Sequence, residues 1–146
     1  MNVTGITCDL RWPNDVMLGG RKVAGILVQL VDGRAIAGIG INLNQSSFPD
    51  GLEATSLKLH TGREACATGI LDALLEAVDT YIALEPEEIL RLFTQASSYA
   101  TGRRVVVDGK TKGITAGLTR DGFLVVRQDD GTDTLIVAGG VRAAGS

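Results

Sequence analysis

The run Arg21-Lys22-Val23-Ala24-Gly25-Ile26-Leu27-Val28-Gln29-Leu30-Val31, then Asp32-Gly33, then Arg34-Ala35-Ile36-Ala37-Gly38-Ile39-Gly40-Ile41-Asn42, decides the fold of the first part of the chain. Residues 23–31 are nearly continuous apolar sequence, as expected of a strand buried on both faces. Asp32-Gly33 is a tight-turn signal, and residues 35–41 supply the returning arm of a hairpin. Upstream, residues 16–18 are apolar and Gly19-Gly20-Arg21 reads as a turn. Residues 3–12 suit a short strand ended by Pro13, which has no N–H to give a ladder. The first 42 residues therefore read as adjoining strands of one sheet.

Beyond the hairpin, residues 42–59 are loop-like, with Pro49 and Asp50-Gly51 among polar neighbours. A long helix is expected next, with Thr61 as N-cap and Glu64 three residues later at the capping-box spacing. Ile70, Leu71, Leu74, Leu75, Val78 and Ile82 recur at helical spacing on one face. Pro86 fits the first turn of another helix, and Glu87 and Glu88 suit the positive end of its dipole. Its apolar face is Ile89, Leu90 and Phe93, and it is expected to end near Tyr99. Thr101-Gly102 marks a change of grammar. Three Asp-Gly pairs (Asp108-Gly109, Asp121-Gly122, Asp130-Gly131) then separate arms rich in Val, Ile, Leu and Thr at 104–107, 111–119, 123–128 and 132–137. The expected class is α+β, with a partial sheet and helices over 1–100 and a small β-barrel over 101–146.

Composition narrows the function classes. The chain has 146 residues, 45% hydrophobic and 21% charged, which suits a globular domain with a small appendage rather than disorder. Its formal net charge is −3, from 14 basic and 17 acidic residues, and no Lys/Arg run stands out. An electrostatic footprint for nucleic acid is therefore missing. Cys8, Cys66 and the lone His60 do not supply a four-ligand zinc site, and no metal site is expected from them. No apolar run reaches the roughly 18 residues of a membrane span, and no signal-peptide core follows Met1. A reducing cytoplasm with both thiols free is the expected setting.

Three segments are candidates for chemistry. Arg11-Trp12-Pro13-Asn14-Asp15 reads either as a strand end with Trp12 in a core and Asn14 and Asp15 capping backbone, or as a preorganised cation beside polar groups. Such a cation suits a site for a carboxylate and a phosphate. In the stretch 21–27, Gly25 permits close backbone approach, while Lys22 is open to solvent and ligand alike. Gly38 and Gly40 read as a bulge or bend, or as a place where a flat ligand lies against backbone, with Asn42 able to pair with a base edge. The stretch is no dinucleotide fingerprint, because G-x-G is incomplete and no helix opens after it.

In order and spacing these segments resemble the biotin–protein ligase pattern K-W-P-N-D, then R-K-[VLI]-A-G-I-L, then G-I-G-I-N-x-N. Phe48-Pro49 and Ala54-Thr55-Ser56-Leu57 resemble the stretch that follows in that family, and the C-terminal part resembles its SH3-like domain. The resemblance implies a mixed sheet like that of class II aminoacyl-tRNA synthetases over 1–100, as the C-terminal part of the catalytic domain, with the SH3-like barrel over 101–146. It implies two half-reactions: biotin with MgATP gives biotinyl-5′-adenylate, and a lysine of a biotin carboxyl carrier domain then takes the biotin. ATP, its Mg2+ and biotin are thus the implied small molecules. By the same resemblance Arg11 is the catalytic cation that also contacts biotin, Gly25, Gly38 and Gly40 line the biotin pocket, and Asn42 binds adenine.

Two departures qualify it. Arg11 stands where the family has lysine, so the charge is kept while a planar fork replaces a compact ammonium. No Gly/Arg-rich adenylate-closing segment and no helix-turn-helix is recognisable in the chain. A fragment of a ligase, inactive alone, is therefore expected. One chain of a split enzyme, a ligand- or partner-binding remnant, and a barrel acting as a carrier-docking module are the alternatives. No membrane or nucleic-acid partner is expected, and an uncovered sheet edge offers a surface for a homodimer.

Overall fold

The computed structural model describes residues 5–144, the side chain of Thr111 excepted, so the reading of residues 3–4 as strand lies outside it. Its elements in chain order are β1 (Asp9–Arg11), β2 (Asp15–Leu18), β3 (Arg21–Val31), β4 (Arg34–Ile41), α1 (Leu57–Thr61), α2 (Ala67–Tyr81), α3 (Pro86–Ala96), β5 (Thr101–Val107), β6 (Thr111–Leu118), β7 (Leu124–Arg127), β8 (Asp133–Ile136) and β9 (Val141–Ala143). The α+β class is that of the sequence reading. By contact density the chain divides into two compact units, Met1–Asp9 with Asn14–Ala83, and Leu10–Pro13 with Leu84–Ser146.

The first unit is built on the hairpin that opened the reading. In the strand order β1-β2-β3-β4, Asp9 and all of β2, β3 and β4 belong to this unit. β3 and β4 pair antiparallel from Ala24↔Ile41 to Val31↔Arg34. Asp32 and Gly33 close the turn with φ of 49° and 74°, the two positive values that this two-residue turn demands. A parallel bridge, Lys22↔Ala54, makes the sheet mixed. Leu18, Val23, Ala24 and Leu57 form the core, with Ile6, Val16, Ile41, Leu43, Ala65 and Ile70 packed around them.

Two expectations for this unit are corrected. β3 is not buried on both faces: Leu27 is 70% exposed and Leu30 81%. The reason is register. β2 reaches only to Gly25, so residues 27–31 have β4 alone beside them and form a two-stranded ribbon. Thr61 is not the N-cap of the long helix. It ends α1, where its Oγ1 donates to Leu57 O at 2.8 Å, and Gly62 follows as a left-handed C-cap. The cap of α1 is Ser56, whose Oγ accepts from Leu59 N–H at 3.0 Å, while Glu64 pairs with Lys58. Ser56 lies three residues before Leu59, the spacing at which an N-cap hydroxyl accepts a first-turn N–H, so the first turn of helix begins there. The long helix α2 starts at Ala67 with no side-chain cap, and none of its residues is buried.

In the second unit five antiparallel strands run in the order β8-β7-β6-β5-β9. Val105, Val107, Leu124, Val126, Ile136 and Val141 point inward and form one core with Tyr99 and Trp12. The strand pairing runs from β8 to β9 as its two ends, and β9 is an arm that the sequence reading did not assign. Its approach is set by Asp108, which accepts Gly140 N–H at 2.7 Å through its carboxylate and donates its own N–H to Gly140 O at 3.1 Å. Pro86 is the first residue of α3, as its missing N–H favours, but the helix stops at Ala96. Ser97 ends it, turning its hydroxyl to Leu10 O at 2.6 Å.

Candidate functional site

The glycines of the second and third motifs come together on one face of the first unit. Asp15 pairs with Gly25, and Gly25 pairs with Gly40, so the three form one row across β2, β3 and β4. Directly paired residues project to the same face. The row therefore carries one carboxylate and two absent side chains. Gly38, two residues along β4 and opposite Leu27, shares that face. Nothing lies within 4 Å of where a Gly40 Cβ would stand, and at Gly38 only the Leu27 carbonyl oxygen approaches, at 3.9 Å. Together they leave a strip of bare, accessible backbone. Exposed Leu27 borders it at one end and Asp15 at the other.

Lys22 reaches the same face because of a bulge. Between the pairs Val16↔Ala24 and Met17↔Lys22, β3 carries one residue more than β2. An extra residue reverses the alternation of faces, so Val23 and its neighbour Ala24 are both buried and Lys22 turns toward Gly25. Lys22 Nζ lies 2.9 Å from where a Gly25 Cβ would be, and 2.5 Å from Asp15 Oδ1. The space vacated at Gly25 is the space that the lysine side chain crosses. The backbone beneath is pinned: Lys22 N–H donates to Glu53 O and Thr55 N–H donates to Lys22 O, each at 2.9 Å. Sequence reasoning left Lys22 undecided, since a bulge leaves no mark in residue type.

The motif asparagines grip backbone. Asn42 Nδ2 donates to Thr55 O at 3.1 Å, and its main chain donates to Val23 O at 2.8 Å and accepts from Leu57 N–H at 3.0 Å. Asn44 holds Ala65 from both sides, at 2.9 and 2.8 Å. Asn14 Nδ2 donates to Ile26 O at 2.8 Å, while Asn14 O accepts from Ile26 N–H at 2.9 Å. A primary amide has further donor and acceptor capacity, so the contact of Asn42 with Thr55 is compatible with a second partner.

The first motif is divided between the units. Arg11 ends β1 and is half-buried, and with Trp12 and Pro13 it belongs to the second unit, whereas Asn14 and Asp15 belong to the first. Trp12 is in the core of the second unit, where its Nε1–H donates to Gly122 O at 2.9 Å. The structure thus gathers Gly25, Gly38, Gly40 and Asn42 in one unit, adds Lys22 and Asp15 to them, and places Arg11 in the other.

Other chemistry-bearing groups stand elsewhere. Both cysteines are free and exposed. Hydrogen bonds from Thr68 and from the Gly69 backbone hold the Cys66 thiol below its ordinary pKa, while burial pushes Cys8 up. Among the described residues no three His, Cys, Asp or Glu side chains gather where they would hold a metal ion. Among the same residues no helix is long and apolar enough to cross a membrane.

Comparison with known proteins agrees with this arrangement. Residues 1–46 match the model of the Biotin/lipoate A/B protein ligase family, a stretch that includes all three motifs. The chain is 32% identical over 142 residues to the bifunctional ligase/repressor BirA of Bacillus spizizenii, covering 87% of this chain and 44% of that protein. It is 31% identical over 140 residues to the biotin–[acetyl-CoA-carboxylase] ligase of Mycobacterium tuberculosis, covering 90% of this chain and 51% of the relative. The chain therefore spans about half the length of these relatives. Its fold matches the crystal structure of biotin protein ligase from Aquifex aeolicus with a TM-score of 0.85 at 26% identity, covering 98% of this chain and 68% of that one. The same Aquifex enzyme in complex with biotin and ATP matches with a TM-score of 0.78 at 27% identity, covering 98% of this chain and 65% of that one. With motifs, fold and relatives in agreement, the chain belongs to the biotin–protein ligase family and corresponds to the C-terminal part of its members.

Proposed function

We propose that this chain serves the biotin–protein ligase reaction: biotin and ATP give biotinyl-5′-adenylate and pyrophosphate, and a lysine of a biotin carboxyl carrier domain then displaces AMP. The observation that carries it is the strip of bare backbone at Gly38 and Gly40, with Gly25 beside it in the same row and crossed by the Lys22 side chain. A thin, largely apolar acid lies flat only where no Cβ rises from the sheet, and exposed Leu27 adds apolar contact at the edge. The attacking group is a carboxylate and the target a phosphate, so bringing two anions together requires a nearby cation. Arg11 is proposed for that role, holding carboxylate or phosphate oxygens through its fork. Asn42 is proposed to pair with adenine through the amide capacity that Thr55 leaves.

Mg2+ is proposed to enter with ATP. Such an ion keeps several waters and is held by substrate phosphates with one or two carboxylates, which asks for no dedicated cluster on the protein. Residues 1–100 are proposed as the C-terminal part of the catalytic domain and 101–146 as the SH3-like domain. A carboxylase carrier domain is the proposed acceptor, and the cytoplasm the proposed setting.

Gly40→Val tests the floor. The Gly40 backbone is not left-handed and its Cβ position is open, so a β-branched residue fits the strand. Stability is expected to hold within about 0.5 kcal/mol of the parent chain, as at other accessible sites. Biotin binding, followed by saturation-transfer NMR because that method registers weak ligands, is expected to disappear. A Gly40→Val chain that binds biotin as the parent does removes the floor from the reading.

A further inference from the structure

We propose that Trp12 and Ser97 are positioning residues for Arg11, so that the core of the second unit sets where that cation stands. The inference rests on the reading of Arg11 as the cation of the reaction, and it adds what holds it. A guanidinium on a long, freely rotating stem is a poor partner for a phosphate until its root is fixed, because a misplaced charge loses most of its effect on a reacting group.

Arg11 has a tied neighbour on each side. Before it, Leu10 O accepts the Ser97 hydroxyl at 2.6 Å. After it, Trp12 is buried among Tyr99, Val105, Leu124 and Val126, and its Nε1–H donates to Gly122 O at 2.9 Å. Consecutive Cα atoms stand about 3.8 Å apart, so the Arg11 backbone moves little while both neighbours are held. Leu10 to Pro13, Ser97, Tyr99 and Gly122 all belong to the second unit. The two ties come from different elements, Ser97 ending α3 and Gly122 lying between β6 and β7. They also share a support. Ser97 is buried, its Oγ accepts Tyr99 N–H at 3.2 Å, and the Tyr99 ring packs in the cluster that receives Trp12. Within the motif the arginine therefore carries the charge, and the adjacent tryptophan carries the anchorage.

The experiment uses the full chain with ATP and adenosine as probes, which differ by the triphosphate that Arg11 is read as holding. Saturation-transfer titrations are run on the parent chain, Arg11→Met, Trp12→Phe and Ser97→Ala, each with a thermal melt. The parent is expected to prefer ATP by roughly tenfold, the scale of one charge-assisted hydrogen bond. Arg11→Met is expected to lose that preference. Trp12→Phe and Ser97→Ala are expected to lose most of it, and all three variants to keep the parent's affinity for adenosine. A preference as large in Trp12→Phe and Ser97→Ala as in the parent overturns the assignment and leaves Arg11 as the cation. Equal weakening of ATP and adenosine in those two variants makes the residues supports of the fold alone, and likewise overturns it. A preference that survives in Arg11→Met, or a parent chain without one, removes Arg11 from the reaction and this inference with it. The chain has one tryptophan, so its indole N–H gives a single resonance in a nitrogen-15 spectrum. ATP is expected to shift that signal in the parent chain, and adenosine to leave it in place. An indole signal unmoved by saturating ATP overturns the inference without any variant, so unfolded variants do not shelter it.

Discussion

Trp12→Ala is expected to cost about 3–5 kcal/mol of stability, the usual range for deleting a large aromatic from a packed core. Trp12 is 5% exposed and packs in the cluster with Tyr99, Val105, Val107, Leu124, Val126, Ile136 and Val141. Its ring is also hydrogen-bonded, with Nε1–H donating to Gly122 O at 2.9 Å. The substitution therefore opens a cavity and leaves a carbonyl acceptor without that donor. For a chain of this size the melting temperature is expected to fall by on the order of 10 °C, read by far-ultraviolet circular dichroism. Trp12→Phe separates the two losses. It keeps most of the packing and drops the hydrogen bond, so a loss of about 1–2 kcal/mol is expected. A shift for Trp12→Ala no larger than that for Trp12→Phe would refute the place of this ring in the core of the second unit.

The second large effect is at Gly113, and it is best measured beside Gly40. Both are strand glycines, yet their surroundings are opposite. A Cβ at Gly113 collides with the Arg127 carbonyl oxygen and comes within 2.8 Å of Val126 Cγ1 and 2.9 Å of Arg127 C. Two of these three neighbours are backbone atoms of β7, which move only if the β6–β7 pairing opens. Gly113→Ala is therefore expected to cost at least about 2–3 kcal/mol, the upper range of overpacking. Gly40→Ala meets nothing within 4 Å. It removes unfolded-state freedom without strain, and a gain of up to about 1 kcal/mol is expected. Urea midpoints for the two variants, compared with the parent, check both signs at once. Similar midpoints would mean that the close approach of β6 and β7 at Gly113 is not present in solution.

The contrast also shows what kind of feature each glycine is. Gly113 is a packing glycine, needed by the second unit whatever the chain does. Gly40 is not required by the fold, since a side chain fits there. On the proposed reading its role belongs to the ligand on the sheet, which is why Gly40→Val is expected to spare stability and abolish binding. Gly25 stands between the two cases. A Cβ there meets only the end of the Lys22 side chain and the more distant Asp15 carboxylate, so the backbone tolerates alanine while the ion pair moves.

Much of this protein is local and therefore legible in residue order. The β3–β4 hairpin follows from an apolar run, Asp32-Gly33 and a second apolar run, because a two-residue turn needs positive φ at both positions and these residues accept it. Pro86 announces the start of α3 and the spacing of Ile70, Leu74 and Val78 announces α2, since both are matters of backbone and period. The family is legible for the same reason: three short motifs keep their order within the first 46 residues. Tertiary structure alone decided the rest. The reach of β2 determines that β3 is exposed beyond Gly25, and burial is a property of neighbours rather than of the run itself. Thr61 cannot cap the long helix because it is the last residue of α1, and α2 begins only at Ala67. Trp12 packs with strands more than ninety positions away, which no local pattern encodes. Above all, the bulge at Val23 reverses one alternation and so brings Lys22 onto the glycine face. A one-residue change of register moves a side chain to the other side of a sheet, and that is written in the pairing of strands, not in the letters of either one.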